Sequence, residues 1–403
     1  MKKRLFFTLL LFFLLIIYIY IANIEFLPNN IVLFEGQSLN FATLWGININ
    51  GYDEQKVMQA SSEIENNRTK DIEKIDLSLN LFENIPLKEV SVNVIPKTKV
   101  VPLGNSIGLR LYTDGVLVVG MSEIDGEKPY ANSDIKEGDR IIAVNNNEIE
   151  STNALIDTVN SCNGNELKVK YMRNEQELET SILPIKTNEN EYKLGLWVRD
   201  AAAGVGTATF YIPSSGMFVA LGHGISDADT GDLITISNGE LVTTNIVQIQ
   251  KGERGKPGEI KGSIEGGKKL GDISKNTSFG IVGKISNMSL MEISNQEMDI
   301  ANRNEVKTGK AQIICELEKG KKEYYDVEIQ RVYTSNNKDN KSMLIKVTDD
   351  KLIEKTGGIV QGMSGSPIIQ DDKFIGAVTH VLVNDPLQGY GVFADMMLSQ
   401  MGE

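Results

Sequence analysis

The strongest chemical signal in the sequence is a serine held between glycines, in the segment Gly-Met-Ser-Gly-Ser-Pro at residues 362–367. A serine on such a tight turn can expose its hydroxyl while neighbouring backbone amides converge on one point. Acyl transfer uses both features, because negative charge develops on the attacked carbonyl oxygen and preorganised donors stabilise it. Ser364 and Ser366 are the candidate nucleophiles, and the alternative is an ordinary Gly/Ser turn before a strand.

A serine hydroxyl is a weak nucleophile and needs a base near neutral pH, for which histidine is best matched. The chain has two histidines. His223 lies between glycines where an apolar strand enters a turn, a setting that presents an imidazole. His380 lies inside the apolar stretch 375–383. We therefore assign the base to His223.

A third group must fix the imidazole tautomer and stabilise the imidazolium. Asp349 and Asp350 follow a predicted strand at 342–347 and precede Ser364 by a short stretch. Asp227 and Asp385 each lie near a histidine in sequence, but Asp227 reaches His223 only through a local turn. The residue pattern alone leaves Asp349 and Asp350 open.

The serine segment resembles the Gly-Asp-Ser-Gly-Gly-Pro turn of chymotrypsin-like proteases, with Met363 and Ser366 as the departures. By that resemblance Ser364 is the nucleophile, and the amides of Gly362 and Ser364 form the oxyanion hole. His380 lies 16 residues after Ser364. Chymotrypsin-like enzymes place a strand that lines the substrate pocket there, so His380 is a candidate substrate-pocket residue.

A longer stretch, residues 356–370, resembles the stage IV sporulation protein B peptidases of endospore-forming bacteria. The resemblance continues at residues 106–108, 197–200, 221–225, 376–381 and 384–386. It implies a catalytic triad of Ser364, His223 and Asp349, because the family's acid directly follows a threonine, here Thr348. Asp350 is the alternative acid.

The same resemblance implies a biological role. It describes a self-cleaving serine endopeptidase exported to the intermembrane space of the forespore. There it cleaves partner proteins and so triggers activation of a late mother-cell sigma factor. The expected partners are protein substrates, including the chain itself.

Residues 190–403 must position this site. They contain short β-like runs separated by Gly and Asn turns, with little helical periodicity. About 200 residues of this kind predict an all-β sandwich or double barrel. With the resemblance, we expect a chymotrypsin-like double β-barrel peptidase domain. The Lys/Gly-rich stretch 251–269 is expected to be a solvated hairpin or loop.

Residues 98–187 predict a PDZ-like peptide-binding domain. Short strand-like runs surround one helical stretch at 151–160, for which Ser151 is the candidate N-cap. Residues 133–145 resemble the Gly-Asp turn and following strand of PDZ domains. Such domains add a peptide as a strand at a sheet edge and hold its carboxylate with backbone amides. We expect the peptide-binding loop, with a peptide tail or strand as its ligand, at Ser106, Ile107, Gly108 and Leu109.

Residues 1–24 are predicted to form a signal anchor with a transmembrane helix. Three basic residues precede the uncharged stretch 5–21, which is long enough to span a bilayer and lacks a clear cleavage signal. The positive-inside rule then places the catalytic part outside the cytoplasm. Residues 25–97 form an N-terminal region with an exposed polar connector at 53–74, the expected site of self-cleavage and release.

Composition excludes several other functions. The chain has 54 acidic against 41 basic residues, a net charge of −13, which argues against nucleic acid as a partner. Cys162 and Cys315 lie in different predicted domains, so no disulfide is expected. The sequence has no Cys/His cluster, and we expect neither a metal nor a cofactor.

Two other functions compete with proteolysis. A non-catalytic PDZ adaptor would use the β domain only to display surfaces. An esterase on the same triad is the second alternative. An α/β-hydrolase would need a strand-to-helix elbow and alternating helices, which this β-rich pattern lacks. We therefore predict peptide-bond hydrolysis.

Overall fold

The computed structural model describes residues 30–34, 47–50, 73–81, 85–95, 97–291, 296–333 and 340–401. The predicted signal anchor and residues 53–72 of the predicted connector lie outside these ranges. Within them, no helix is both long enough and apolar enough to cross a membrane.

A four-stranded sheet comes first in the chain. Its strands are β1 (Asn30–Phe34), β2 (Ile47–Asn50), β3 (Glu73–Leu81) and β4 (Ile85–Ile95). They lie in the order β1-β4-β3-β2, with β1 parallel to β4 and the other pairs antiparallel. Phe34 is buried among residues of the peptidase region, so this sheet packs on the rest of the molecule.

The PDZ region follows, with one helix among short strands. Its elements are β5 (Lys99–Pro102), β6 (Ser106–Met121), β7 (Arg140–Val144), β8 (Asn147–Glu148), α1 (Thr152–Ser161), β9 (Leu167–Arg173), β10 (Gln176–Ile182), β11 (Ile185–Lys186) and β12 (Tyr192–Lys193). The Ser151 hydroxyl accepts a hydrogen bond from the Ala154 amide at 3.2 Å, which confirms the predicted N-cap. Leu155 and Val159 of α1 pack into the apolar core of this region.

The next part of the chain builds a six-stranded barrel. Its elements are β13 (Leu196–Ile212), β14 (Met217–Ala220), β15 (Ile236–Thr243), the hairpin strands β16 (Asn245–Gln250) and β17 (Glu259–Ser263), β18 (Lys269–Thr277) and β19 (Gly280–Ile285). The sheet runs β6-β15-β18-β19-β14-β13, and pairing of β13 with β6 closes it. The first barrel therefore contains β6, which also pairs with β7 of the PDZ region.

A second six-stranded barrel completes the peptidase region. After a short 3-10 helix (Met288–Leu290), its elements are β20 (Met298–Asp299), β21 (Gly309–Glu318), β22 (Lys321–Val332), β23 (Met343–Val347), α2 (Asp350–Thr356), β24 (Pro367–Gln370), β25 (Lys373–Leu382), β26 (Asp385–Phe393) and α3 (Ala394–Ser399). The barrel closes in the order β21-β22-β23-β26-β25-β24. Short β20 pairs with β5 instead.

The two barrels pack against each other through a shared apolar cluster. Phe210 of the first barrel and Phe374 of the second lie with ring centroids 5.2 Å apart. The expected double β-barrel is therefore present. The Lys/Gly-rich stretch includes the exposed tip of the β16–β17 hairpin, as expected for a solvated hairpin.

Candidate active site

The serine turn lies between α2 and β24, and glycine makes its geometry possible. Gly362 and Gly365 have φ angles of 95° and 98°, in the left-handed region that side chains disfavour. A Cβ on Gly365 would lie 2.1 Å from the Thr207 carbonyl oxygen. Ser366 is fully buried and its hydroxyl has no partner among the described residues, whereas Ser364 is partly exposed. Ser364 is therefore the accessible hydroxyl.

Ser364, His223 and His380 line one cavity of about 480 Å³ at the junction of the barrels. Most of the other lining residues are apolar, and Pro257 of the β16–β17 hairpin forms part of the rim. The Ser364 hydroxyl donates to the Thr379 carbonyl oxygen at 2.7 Å. Proton transfer to an imidazole thus requires rotation of the serine side chain.

His223 follows β14 in a tight loop. Its Nδ1 lies 2.8 Å from the Gly224 carbonyl oxygen, so the tautomer with a proton on Nδ1 donates there and leaves Nε2 as the acceptor. Burial lowers the pKa of His223, and the hydrogen bond to Gly224 only partly opposes this effect. The imidazole is therefore neutral near pH 7, as a general base must be. The His380 ring lies 5.2 Å away, centroid to centroid.

Two backbone amides at the serine turn have no acceptor among the described residues, and they belong to Gly362 and Ser364. The backbone amides of the next residues, Met363 and Gly365, both donate hydrogen bonds. Met363 donates to the Val360 carbonyl at 3.1 Å, and Gly365 donates to the Val378 carbonyl at 2.8 Å. Free, fixed donors beside a nucleophile have the arrangement that stabilises an oxyanion. Gly362 and Ser364 are the two residues that the sequence predicts for this role.

The structure does not bring the predicted acid to His223. Asp349 caps α2, with its carboxylate accepting from the Leu352 amide at 3.0 Å and the Asp326 amide at 3.3 Å. Asp350 is exposed in the first turn of the same helix. Neither residue lines the cavity. The predicted contact between Asp349 and the imidazole is absent because the carboxylate satisfies a helix end.

The other two candidate acids are also engaged elsewhere. Asp227 is buried and forms an ion pair with Arg199. Burial alone would raise the pKa of Asp227, but hydrogen bonds from two backbone amides and the Arg199 guanidinium lower it overall. Asp385 accepts a hydrogen bond from the Gln388 side chain. Within the described part of the chain, no three metal-binding side chains come together.

The residues expected to form the PDZ peptide-binding loop lie within a strand. They form the start of β6, where β13 pairs on one side and β15 on the other. The Ser106 amide already binds a carboxylate, that of Glu316, at 3.0 Å. β13 continues along β6 to Met121, and its Asp200 accepts from the Thr152 amide at the start of α1. Both edges of β6 are thus paired at Ile107, Gly108 and Leu109, and Ser106 pairs with β13.

Sequence reasoning missed two residues that shape the site. Asn276 of β18 clamps the loop after His223, since its side chain bonds the amide and carbonyl of Ile225 and the carbonyl of Ile234. Thr207 of β13 bonds the serine turn. Both are single polar residues inside strands, and no local motif marks them.

Known proteins resemble parts of this chain. Residues 102–183 match the model of the PDZ domain family. The crystal structure of a protease, Rv3671c of M. tuberculosis, in its active form is 12% identical over 62% of this chain and 85% of its own, with a TM-score of 0.29. The PDZ domain of an SdrC-like protein from Listeria monocytogenes is 22% identical over 21% of this chain and 87% of its own, with a TM-score of 0.19. A comparison with curated proteins gave no match.

A second family model matches most of the peptidase region. Residues 190–398, more than half of the chain, match the family model described as SpoIVB peptidase S55. The resemblance seen in the serine motif is thereby confirmed over residues 190–398. The chain belongs to the SpoIVB peptidase S55 family and is a serine peptidase with a PDZ domain.

Proposed function

We propose that this chain is a serine endopeptidase in which Ser364 is the nucleophile and His223 is the general base. The observation that carries the proposal is the cavity shared by Ser364, neutral His223 and the two free amides. The cavity is open to solvent and mostly apolar, which suits an extended protein substrate.

The reaction follows from these groups. The Ser364 hydroxyl turns from Thr379 toward Nε2 of His223, gives up its proton and forms a bond to the substrate carbonyl carbon. The amides of Gly362 and Ser364 stabilise the resulting oxyanion. The C–N bond then breaks as the imidazolium protonates the leaving amine, and water hydrolyses the acyl-enzyme by the same route. The Gly224 carbonyl, rather than a carboxylate, orients His223 in this scheme.

The biological proposal is narrower. We infer that the enzyme is a sporulation signalling protease that cleaves itself and partner proteins, and that its cleavage leads to activation of a late mother-cell sigma factor. Its family membership supports this role. The basic and apolar N-terminal segment, residues 1–24, supports anchoring in a membrane with the catalytic part outside the cytoplasm.

A fluorophosphonate probe tests the chemistry directly. Wild-type protein should be labelled at Ser364, and Ser364→Ala should abolish labelling. Ser366→Ala is the matched control, because the same side chain is removed two residues away at a buried position, and it should retain labelling. A folded wild-type protein that takes up no label would refute the peptidase proposal and favour a non-catalytic adaptor.

Incubation of the purified full chain tests self-cleavage separately. New N-termini should arise in the wild-type protein, within residues 53–74. The Ser364→Ala chain should stay intact under the same conditions. Cleavage of that variant at the same bonds would exclude self-processing and leave the labelling result untouched.

A further inference from the structure

Thr207 forms two hydrogen bonds to the backbone of the serine turn. It lies on β13 and is 2% exposed. Its Oγ1 donates to the Gly362 carbonyl oxygen at 2.7 Å, and its backbone amide donates to the Ser364 carbonyl oxygen at 3.1 Å. One residue of the first barrel therefore holds the carbonyls of both residues that carry the free amides.

Peptide geometry shows what these contacts control. In a trans peptide unit the N–H and C=O groups point in opposite directions, so a held carbonyl fixes the orientation of its amide. The carbonyls opposite the two free amides are held by the Ile260 and Ser366 amides, at 2.8 and 2.9 Å. Thr207 holds the carbonyls of the other two peptide units, which join Gly362 to Met363 and Ser364 to Gly365. The carbonyl of each peptide plane from residue 361 to residue 365 thus accepts a hydrogen bond, and all of these bonds except the one to the 363–364 plane come from outside the turn.

Gly362 is where this arrangement needs support. With no Cβ and a φ of 95°, its backbone has little intrinsic preference for the observed orientation. Rotation about Gly362 would turn its amide away from the cavity. The Thr207 hydroxyl bonds the carbonyl of this same residue, next to the rotating bonds.

We propose that Thr207 is a positioning residue for the oxyanion hole, keeping the Gly362 and Ser364 amides directed at the reacting carbonyl. This inference rests on the proposed peptidase function. The Thr207 hydroxyl acts through the backbone of the turn and does not touch the substrate. Its loss should therefore slow the chemical step and leave substrate binding largely unchanged.

Thr207→Val removes the hydroxyl while keeping the side-chain shape. We expect kcat for a peptide substrate to fall about 10-fold, less than the roughly 100-fold or greater loss typical of deleting an oxyanion donor. KM should change by less than about 2-fold, because the interaction acts mainly in the transition state. Fluorophosphonate labelling should slow in parallel. Thr207→Ser should restore most of the rate, since it restores the hydroxyl.

Thr209→Val is the matched control. Thr209 lies on the same strand, is fully buried, and its hydroxyl has no partner among the described residues. The same substitution there should leave kcat unchanged. Thermal unfolding of all three variants checks that they are folded. If Thr207→Val does not fold, the kcat of Thr207→Ser tests the inference instead.

Three results would overturn the inference. An active wild-type enzyme whose kcat is unaffected by Thr207→Val removes the role of the hydroxyl. Equal losses for Thr207→Val and Thr209→Val indicate a general packing effect of the strand. A folded Thr207→Ser variant that stays as slow as the valine variant also contradicts it. A separate outcome, a wild-type protein without activity, refutes the proposed function on which the inference rests.

Discussion

Replacement of Asp349 by asparagine separates two roles for this carboxylate. Family resemblance assigns it to the catalytic triad, whereas the structure uses it as the N-cap of α2. Asparagine caps a helix about as well as aspartate does. The substitution therefore removes the negative charge and keeps the cap, so an effect on activity can be distinguished from an effect on folding.

The structure gives the size of the expected effect. The Leu352 amide at 3.0 Å keeps an acceptor in Asp349→Asn, while the longer contact from the Asp326 amide at 3.3 Å is lost. A hydrogen bond contributes about 0.5–1.5 kcal/mol to stability, and this long one should lie at the low end. Asp349→Ala also loses the cap and should cost about 1 kcal/mol more. Neither substitution should change kcat by more than about 3-fold, a barrier change of under about 1 kcal/mol.

The assay combines steady-state hydrolysis of a peptide substrate with urea unfolding of the same samples. A triad acid behaves differently, because its change to asparagine lowers kcat by about 10⁴-fold, or about 5 kcal/mol in the barrier. Such a loss in a protein of normal stability would refute the reasoning and show that Asp349 reaches His223 in the active form. Asp350→Asn is the control, since Asp350 is adjacent and exposed.

Three further predictions concern acid–base behaviour, stability and the PDZ region. Because burial lowers the pKa of His223, its neutral form persists below the ordinary histidine pKa of about 6.5. The acid limb of a plot of kcat/KM against pH should therefore have its midpoint below that value. A midpoint above it would contradict the assignment of His223 as the general base. Arg303 pairs with fully buried Asp395 at 2.8 Å, so Arg303→Ala should cost about 3–5 kcal/mol in urea unfolding, and the double variant with Asp395→Leu should recover part of the loss. Peptides with free C-termini should not perturb the NMR amide signals of β6 in the intact chain, because β13 and β15 occupy its edges. Saturable chemical-shift changes in β6 would show that the peptide can displace β13.

The parts of the site that were predictable from the sequence are those set by local geometry. A serine between two glycines needs left-handed backbone on both sides, and this requirement appears in the residue types themselves. The α1 helix was predictable for the same reason, since its cap and its apolar stripe lie within ten residues. Helix α2 escaped prediction because its seven residues are too few to show a helical period.

Contacts between distant strands were not predictable. The sequence pattern shows two short strand-like runs, at 107–111 and 115–119, but the structure has a single 16-residue strand, β6. The residues between the two runs lie where β6 passes from pairing with β15 to pairing with β7, and Gly115 there has a φ of 83°. The role of Thr207 was not predictable for the same reason, because its hydrogen bond to Gly362 joins residues 155 positions apart in the sequence. A periodic pattern reports burial, and it does not report which strand lies alongside.

The expected boundary between the PDZ-like and peptidase domains, at residues 187–190, does not coincide with a break in the sheet, because β6 pairs with β13 across it. A chain that begins at residue 190 lacks β6, and with it Ile107, Leu109 and Leu111, each at most 1% exposed in the first barrel core. At about 1.5–3 kcal/mol for each buried side chain, the loss is roughly 5–9 kcal/mol, comparable to the whole stability of a typical domain. We therefore expect this truncated chain to lack cooperative thermal unfolding and activity. A chain that begins at Lys97 keeps β5 and β6 and should retain both. A folded, active chain from residue 190 would show that the first barrel closes without the PDZ strand.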